Sequence, residues 1–104
     1  MRFEAYRTRN GLRLIEMSRE WNPREDESQT VLETLGCDHL FQHLCMSQGT
    51  FRARLEPKPW RVVAGQIHRV CHYLGTFGTA PENSTSIAIR AIHDTWCLGN
   101  GSLA

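Results

Sequence analysis

The stretch FEAYRTRNGLRLIEM, Phe3 to Met17, decides the class of fold. FEAYRT and LRLIEM are short runs rich in strand-forming side chains, and they flank Arg9, Asn10 and Gly11. Asn-Gly accepts the positive φ angles of a tight type I′ turn, so residues 2–17 are expected to form a β-hairpin closed at that dipeptide. An isolated hairpin is marginal in water, which requires a further strand and a covering layer elsewhere in the chain.

Outward from the hairpin, SREWNPREDESQ is polar, holds Pro23, and reads as a loop leading into a helix. Glu25, Asp26 and Glu27 put negative charge where a first helical turn favours it, Val31, Leu32 and Leu35 give a short apolar face, and Gly36 is a natural stop. Asp38 is suited to cap a second helix, with Leu40, Phe41, Leu44 and Cys45 expected to face inward and Gly49 to end it. From Thr50 the period changes to two, with Phe51, Ala53 and Leu55 on one face and Arg52, Arg54 and Glu56 on the other. That alternation predicts a half-buried strand near 50–56, ended by Pro57 and Pro59, which lack the amide a ladder needs. Val63, Ile67, Val70, Cys71 and Leu74 keep a helical spacing. GTFGTAPENSTS reads as loop; in IAIRAIHDTWCL, Ile87, Ile89 and Ala91 alternate as in a strand while Ala88, Ile89, Ile92 and Trp96 space a helix, and the helix, with Ser84 to Ser86 as caps and Gly99 as a stop, is the preferred reading. The expected architecture is α+β: a small antiparallel sheet, made of the N-terminal hairpin and the strand near 50–56, with about four helices packed on it.

The 104 residues suit a single domain, 1–104, or a fragment of a longer protein. A hydrophobic content of 40% and a charged content of 22% are ordinary for a globular chain. No apolar run approaches the roughly 18 residues that span a bilayer, and charges thread the N-terminus, so neither a membrane span nor a signal peptide is expected. A cytoplasmic location follows, in which the four cysteines are thiols or metal ligands rather than disulfides. The net charge of +1 conceals two basic segments around an acidic one: residues 1–15 carry +3, residues 16–38 carry −5 and residues 50–72 carry +4.

No phosphate-binding loop, nucleophile elbow, His-Glu-x-x-His or dinucleotide fingerprint is present, which leans against an enzyme. Two constellations carry chemistry. Arg52, Arg54, Lys58, Trp60 and Arg61 line up cations beside an aromatic ring, and Arg7, Arg9 and Arg13 join them if the hairpin pairs beside that strand. A positive sheet surface with a stacking ring is one way to hold single-stranded nucleic acid or another polyanion. The second constellation is sulfur and imidazole, the preferred donors of tetrahedral zinc. His39/His43, His68/His72 and His93/Cys97 each sit four apart, on one helix face. His68, Cys71, His72, His93 and Cys97 form the better candidate set, as two helices would bring them face to face. No Cys-x-x-Cys knuckle is present, and the competing reading is cysteines packed as small hydrophobes with histidines at the surface.

The string Phe51-Arg52-Ala53-Arg54 with Pro57-Lys58-Pro59-Trp60-Arg61, together with the upstream hairpin and LGCDHLFQHLC, resembles a group of uncharacterised bacterial proteins over residues 3–61. That resemblance implies no activity. The YRTRNGLR hairpin is also similar to one in the palm of primase-polymerases. The chain lacks the paired strand carboxylates of those enzymes, so the likeness implies at most a fragment or a relative without the catalytic half. The leading expectation is a non-enzymatic domain that binds nucleic acid or another polyanion and needs no cofactor. The alternatives are a small zinc-binding domain and a fragment or relative of a nucleotidyl-transfer enzyme.

Overall fold

A computed structural model describes residues 1–9, 11–51, 68–98 and 102–103, which fall into two compact units. The first unit draws on Met1–Glu20 and Arg54–Ala104, the second on Trp21–Ala53. The fold is α+β, with three helices among the described residues.

The first unit is built on the hairpin. β1 (Arg2–Arg7) pairs antiparallel with β2 (Leu12–Glu16), with Tyr6 opposite Arg13 and Glu4 opposite Ile15. The last ladder pair is Arg7 with Leu12, so the connection is four residues, 8–11, and the Thr8 amide donates to the Gly11 carbonyl at 2.8 Å. That bond leaves residues 9 and 10 inside it, so the hairpin closes one residue before the expected Asn10-Gly11. Asn10 itself lies outside the described residues. The change moves the register by two, which keeps every side chain on its original face.

The third strand is β4 (His72–Gly78), antiparallel to β1 on its other side, giving the order β2-β1-β4. The sequence reading differs here twice. The helical spacing over 63–74 ends in a strand, and GTFG, read as loop, is part of it. Tyr73, Leu74, Thr76 and Phe77 are strand formers, and the open edge of β1 supplies the hydrogen-bond partners that decide between two periods a short run fits equally well. A register shift between Ala5 and Tyr6 marks a bulge in this pairing. At the end of β4, Gly78 has φ +96°, and a Cβ there would collide with the Met1 carbonyl oxygen. The strand expected near 50–56 lies, beyond Phe51, outside the described residues.

α3 (Ser84–Cys97) lies on the Glu4/Tyr6 face of the sheet. Asn83 caps it, its side chain accepting from the amides of Thr85 at 3.0 Å and Ser86 at 3.2 Å. The helix expected over this segment forms, with its apolar face reversed. Ser86, His93 and Cys97 are buried and Arg90 is half-buried, whereas Ile87, Ile89, Ile92 and Trp96 are exposed. The sheet explains the reversal, because it presents polar groups to the helix. Glu4, 3% exposed, accepts from the Tyr73 hydroxyl at 2.6 Å, the Thr76 hydroxyl at 2.8 Å and the Arg90 guanidinium at 3.4 Å. Arg90 also holds Glu82 through two nitrogens, at 3.0 and 3.2 Å. A buried carboxylate needs such partners, and isoleucine offers none. The small apolar core beside this network is Tyr6, Val70, Cys71 and Cys97, packed against Ile15 and Leu98. A short parallel pair, β3 (His68–Arg69) with β5 (Ser102–Leu103), completes the unit.

The second unit holds α1 (Asp26–Thr34) and α2 (His39–Gln48). Asp26 and Glu27 occupy the first turn of α1, and Gly36 follows its end at φ +73°. Asp38 caps α2 through the Leu40 amide at 3.3 Å, and Gly49 closes it in the left-handed region at φ +69°. Arg24 lies over that terminus, donating to the carbonyls of Met46 at 3.0 Å and Ser47 at 3.1 Å. A Cβ on Gly49 would meet the same guanidinium at 2.8 Å. Of the α2 side chains expected inward, Cys45 is buried, Phe41 and Leu44 are half-buried, and Leu40 is exposed. A single short helix pair has too little facing surface to cover all four.

Candidate metal centre

His93 and Cys97 stand one turn apart on the buried side of α3, and Cys71 lies in the connection between β3 and β4. All three are buried, Cys71 and Cys97 at 0% and His93 at 3% exposure. One donor atom from each converges so that the three lie within 4.8 Å of one another, with Cys71 Sγ 3.8 Å from His93 Nε2. Around a tetrahedral zinc, with Zn–S near 2.3 Å and Zn–N near 2.0 Å, neighbouring donors are about 3.3–3.8 Å apart. Closure on an ion thus requires side-chain adjustments of about 1 Å or less.

Backbone geometry holds the two cysteines together. The Cys97 carbonyl accepts from the amides of both Val70 and Cys71, each at 3.1 Å, so the end of α3 is stapled to the start of β4. The imidazole is oriented from behind. Its Nδ1 lies 2.9 Å from Asp94 Oδ1, which also accepts from the Tyr6 hydroxyl at 2.6 Å. The Tyr6 ring leans on the His93 ring, centroids 4.5 Å apart. A carboxylate on Nδ1 places the proton there and leaves the Nε2 lone pair aimed at the sulfurs, the usual support of a metal-bound histidine. Burial and the hydrogen bond to Asp94 both push the Tyr6 hydroxyl well above its ordinary pKa, so it remains a donor.

Arg13 completes the cluster. Its Nη1 lies 3.2 Å from His93 Nε2, 3.3 Å from Cys71 Sγ and 3.6 Å from Cys97 Sγ. Burial pushes the Cys71 thiol up to about 11 against the opposing pull of Arg13, and burial raises Cys97 as well. Both thiols are therefore protonated near neutrality. A sulfur that is fully enclosed and protonated has neither the access nor the thiolate character of a nucleophile, whereas a metal ion can displace its proton.

Of the five residues expected as ligands, Cys71, His93 and Cys97 meet. His72 is exposed at the start of β4, and alternation sends it to the opposite side from Cys71. His68 contributes to β3, and its side chain lies outside the described residues. Among the expected basic residues, Arg7 and Arg9 are exposed and line a shallow depression with Leu12 and Leu74. Arg13 turns into the cluster instead of joining them. Arg52, Arg54, Lys58, Trp60 and Arg61 lie outside the described residues.

The chain matches no protein-family model, no curated protein and no solved structure. Its chemistry therefore rests on its own residues.

Two of those were missed from sequence, Tyr6 and Asp94, and Arg13 was singled out for its charge but not for this cluster. The signals were present. Strand alternation puts Tyr6 and Arg13 on one face of the hairpin in either register. Asp94 directly follows His93, within reach of its near ring nitrogen.

Among the described residues, no helix is long and apolar enough to cross a membrane.

Proposed function

We propose that this chain is a small metal-binding domain, taking zinc or a similar thiophilic divalent ion on Cys71, His93 and Cys97. The observation that carries the reading is the convergence of two sulfurs and one imidazole nitrogen within 4.8 Å, in a buried site. A carboxylate behind the histidine supports it. Two thiolates and a neutral imidazole neutralise a divalent ion, and three protein donors leave the fourth tetrahedral position to water or another ligand. Since both thiols are held protonated, each ion that binds displaces about two protons near neutral pH.

The competing reading, two thiols that only fill space, draws on the packing of Tyr6, Val70, Ile15 and Leu98 around them. Metal analysis separates the two. Protein purified without a histidine tag and reconstituted with zinc should hold about one equivalent, fall below about a tenth on Cys97→Ser with His93→Gln, and acidify a weakly buffered solution on binding. Cobalt in place of zinc should give the intense charge-transfer absorption of thiolate ligation. Wild-type protein that binds less than about a tenth of an equivalent of either ion contradicts the reading.

A polyanion surface is the second proposal, supported by the exposure of Arg7 and Arg9 beside one depression. Salt-dependent binding of a single-stranded oligonucleotide, lost on Arg7→Ala with Arg9→Ala, is its test.

A further inference from the structure

The metal reading leaves one group unaccounted for, a guanidinium at the focus of the donor set. Resting on that reading, we infer that Arg13 is a built-in competitor for the ion: its Nη1 occupies the cation position, and metal loading requires the side chain to leave.

Geometry makes the two states exclusive. Nη1 is 3.2, 3.3 and 3.6 Å from the three donor atoms, close to equidistant, so it lies over the centre of the triangle they form. An ion bound to all three at ordinary lengths, near that plane, would sit about 2–2.5 Å from Nη1. A guanidinium nitrogen carries protons and no available lone pair, so it cannot become a ligand at that distance. Two positive charges so close in a buried site repel strongly. The imidazole lone pair is also used twice. Nε2 accepts from Arg13 in the present arrangement and would have to donate the same electrons to the ion.

The fold offers an exit. Arg13 is half-buried, and among the described residues β2 has one ladder neighbour, β1. A long, half-buried side chain can swing toward solvent about its own torsions with no ladder bond broken. In the metal-free protein the guanidinium fills the site, lends a donor to Nε2, and keeps the buried donors satisfied. Zinc affinity then reports the difference between two occupants of one position, and Arg13 sets the metal concentration at which the exchange occurs.

The opposite role is chemically reasonable: an arginine that stays and donates to metal-bound thiolates would strengthen binding. The sign of a substitution therefore decides. Zinc affinity is measured by competition with a chromophoric chelator for wild type, Arg13→Met and Arg13→Lys, with near-ultraviolet circular dichroism as the check on folding. Arg13→Met should bind about tenfold or more tightly than wild type, since the ion no longer displaces a charged hydrogen-bonded group. Arg13→Lys should stay nearer to wild type. Equal or weaker binding by a folded Arg13→Met overturns the inference and leaves the metal site standing. Absence of zinc binding in wild type and both variants removes the site and the inference together. Should Arg13→Met fail to fold, the Arg13 side-chain NH signals of the wild type decide. On zinc addition they should move from protected to fast exchange with water, and protection that persists in the loaded protein overturns the inference.

Discussion

At the scale of the residue, Asp94 does two jobs with one oxygen. Its Oδ1 accepts from the Tyr6 hydroxyl and faces His93 Nδ1, so strand β1 is linked to a would-be ligand through a single atom. Tyr6→Phe removes the hydroxyl with little change in shape. It should destabilise the protein by about 1 kcal/mol, the usual worth of such a bond, and weaken zinc binding by about tenfold through looser orientation of the imidazole. Thermal denaturation reads the first effect and chelator competition the second. Lower stability with unchanged affinity would mean that Asp94 orients His93 unaided. The candidate donors were legible, because the four-residue interval between His93 and Cys97 puts them on one helix face and sulfur and imidazole are recognisable donors. What the sequence could not supply was the choice among five candidates. That depended on Cys71 lying between two strands instead of within a helix.

At the scale of the element, α3 shows where hydrophobic patterning misleads. Its apolar residues recur at helical spacing and correctly predict a helix, but the usual inference that this face turns inward fails. The side inward is set by the partner, and here the partner strand carries Glu4, whose carboxylate is satisfied by Arg90, Tyr73 and Thr76. Substitutions should invert the ordinary hydrophobic ranking. Ile92→Glu, at a side chain 57% exposed, should change stability by about 0.5 kcal/mol or less. Arg90→Met, although it adds an apolar side chain, should lower stability by about 1–2 kcal/mol because it strips cationic partners from a buried carboxylate. Urea denaturation of the two variants checks this, and a larger loss for Ile92→Glu would show that the isoleucine face is covered in solution. The ends of α1 and α2 were readable, since Asp38, Gly36 and Gly49 act through local backbone chemistry, whereas the cap of α3 is Asn83, one residue before the serines expected in that role. β4 was the least readable. Seven residues with two glycines fit either period, and only the free edge of β1 resolves them.

At the scale of the whole molecule, the candidate centre draws on segments far apart in the chain: Arg13 on β2, Cys71 beside β4, and the last turn of α3. An ion there would cross-link the sheet to its covering helix, while the hairpin ladder, the Glu4 network and the Asn83 cap draw on none of its three candidate donors. Chelation should therefore leave the far-ultraviolet circular dichroism spectrum unchanged while lowering the melting temperature, in contrast to zinc fingers, which unfold without metal. Loss of the secondary-structure signal on chelation would show that the ion is a folding requirement.

The double hydrogen bond onto the Cys97 carbonyl gives this a further consequence. With the two cysteine backbones already held in place, an ion that takes the place of the Arg13 guanidinium would have little backbone ordering entropy to overcome. Occupancy of such a site would follow the free ion around it reversibly, renewed at every exchange.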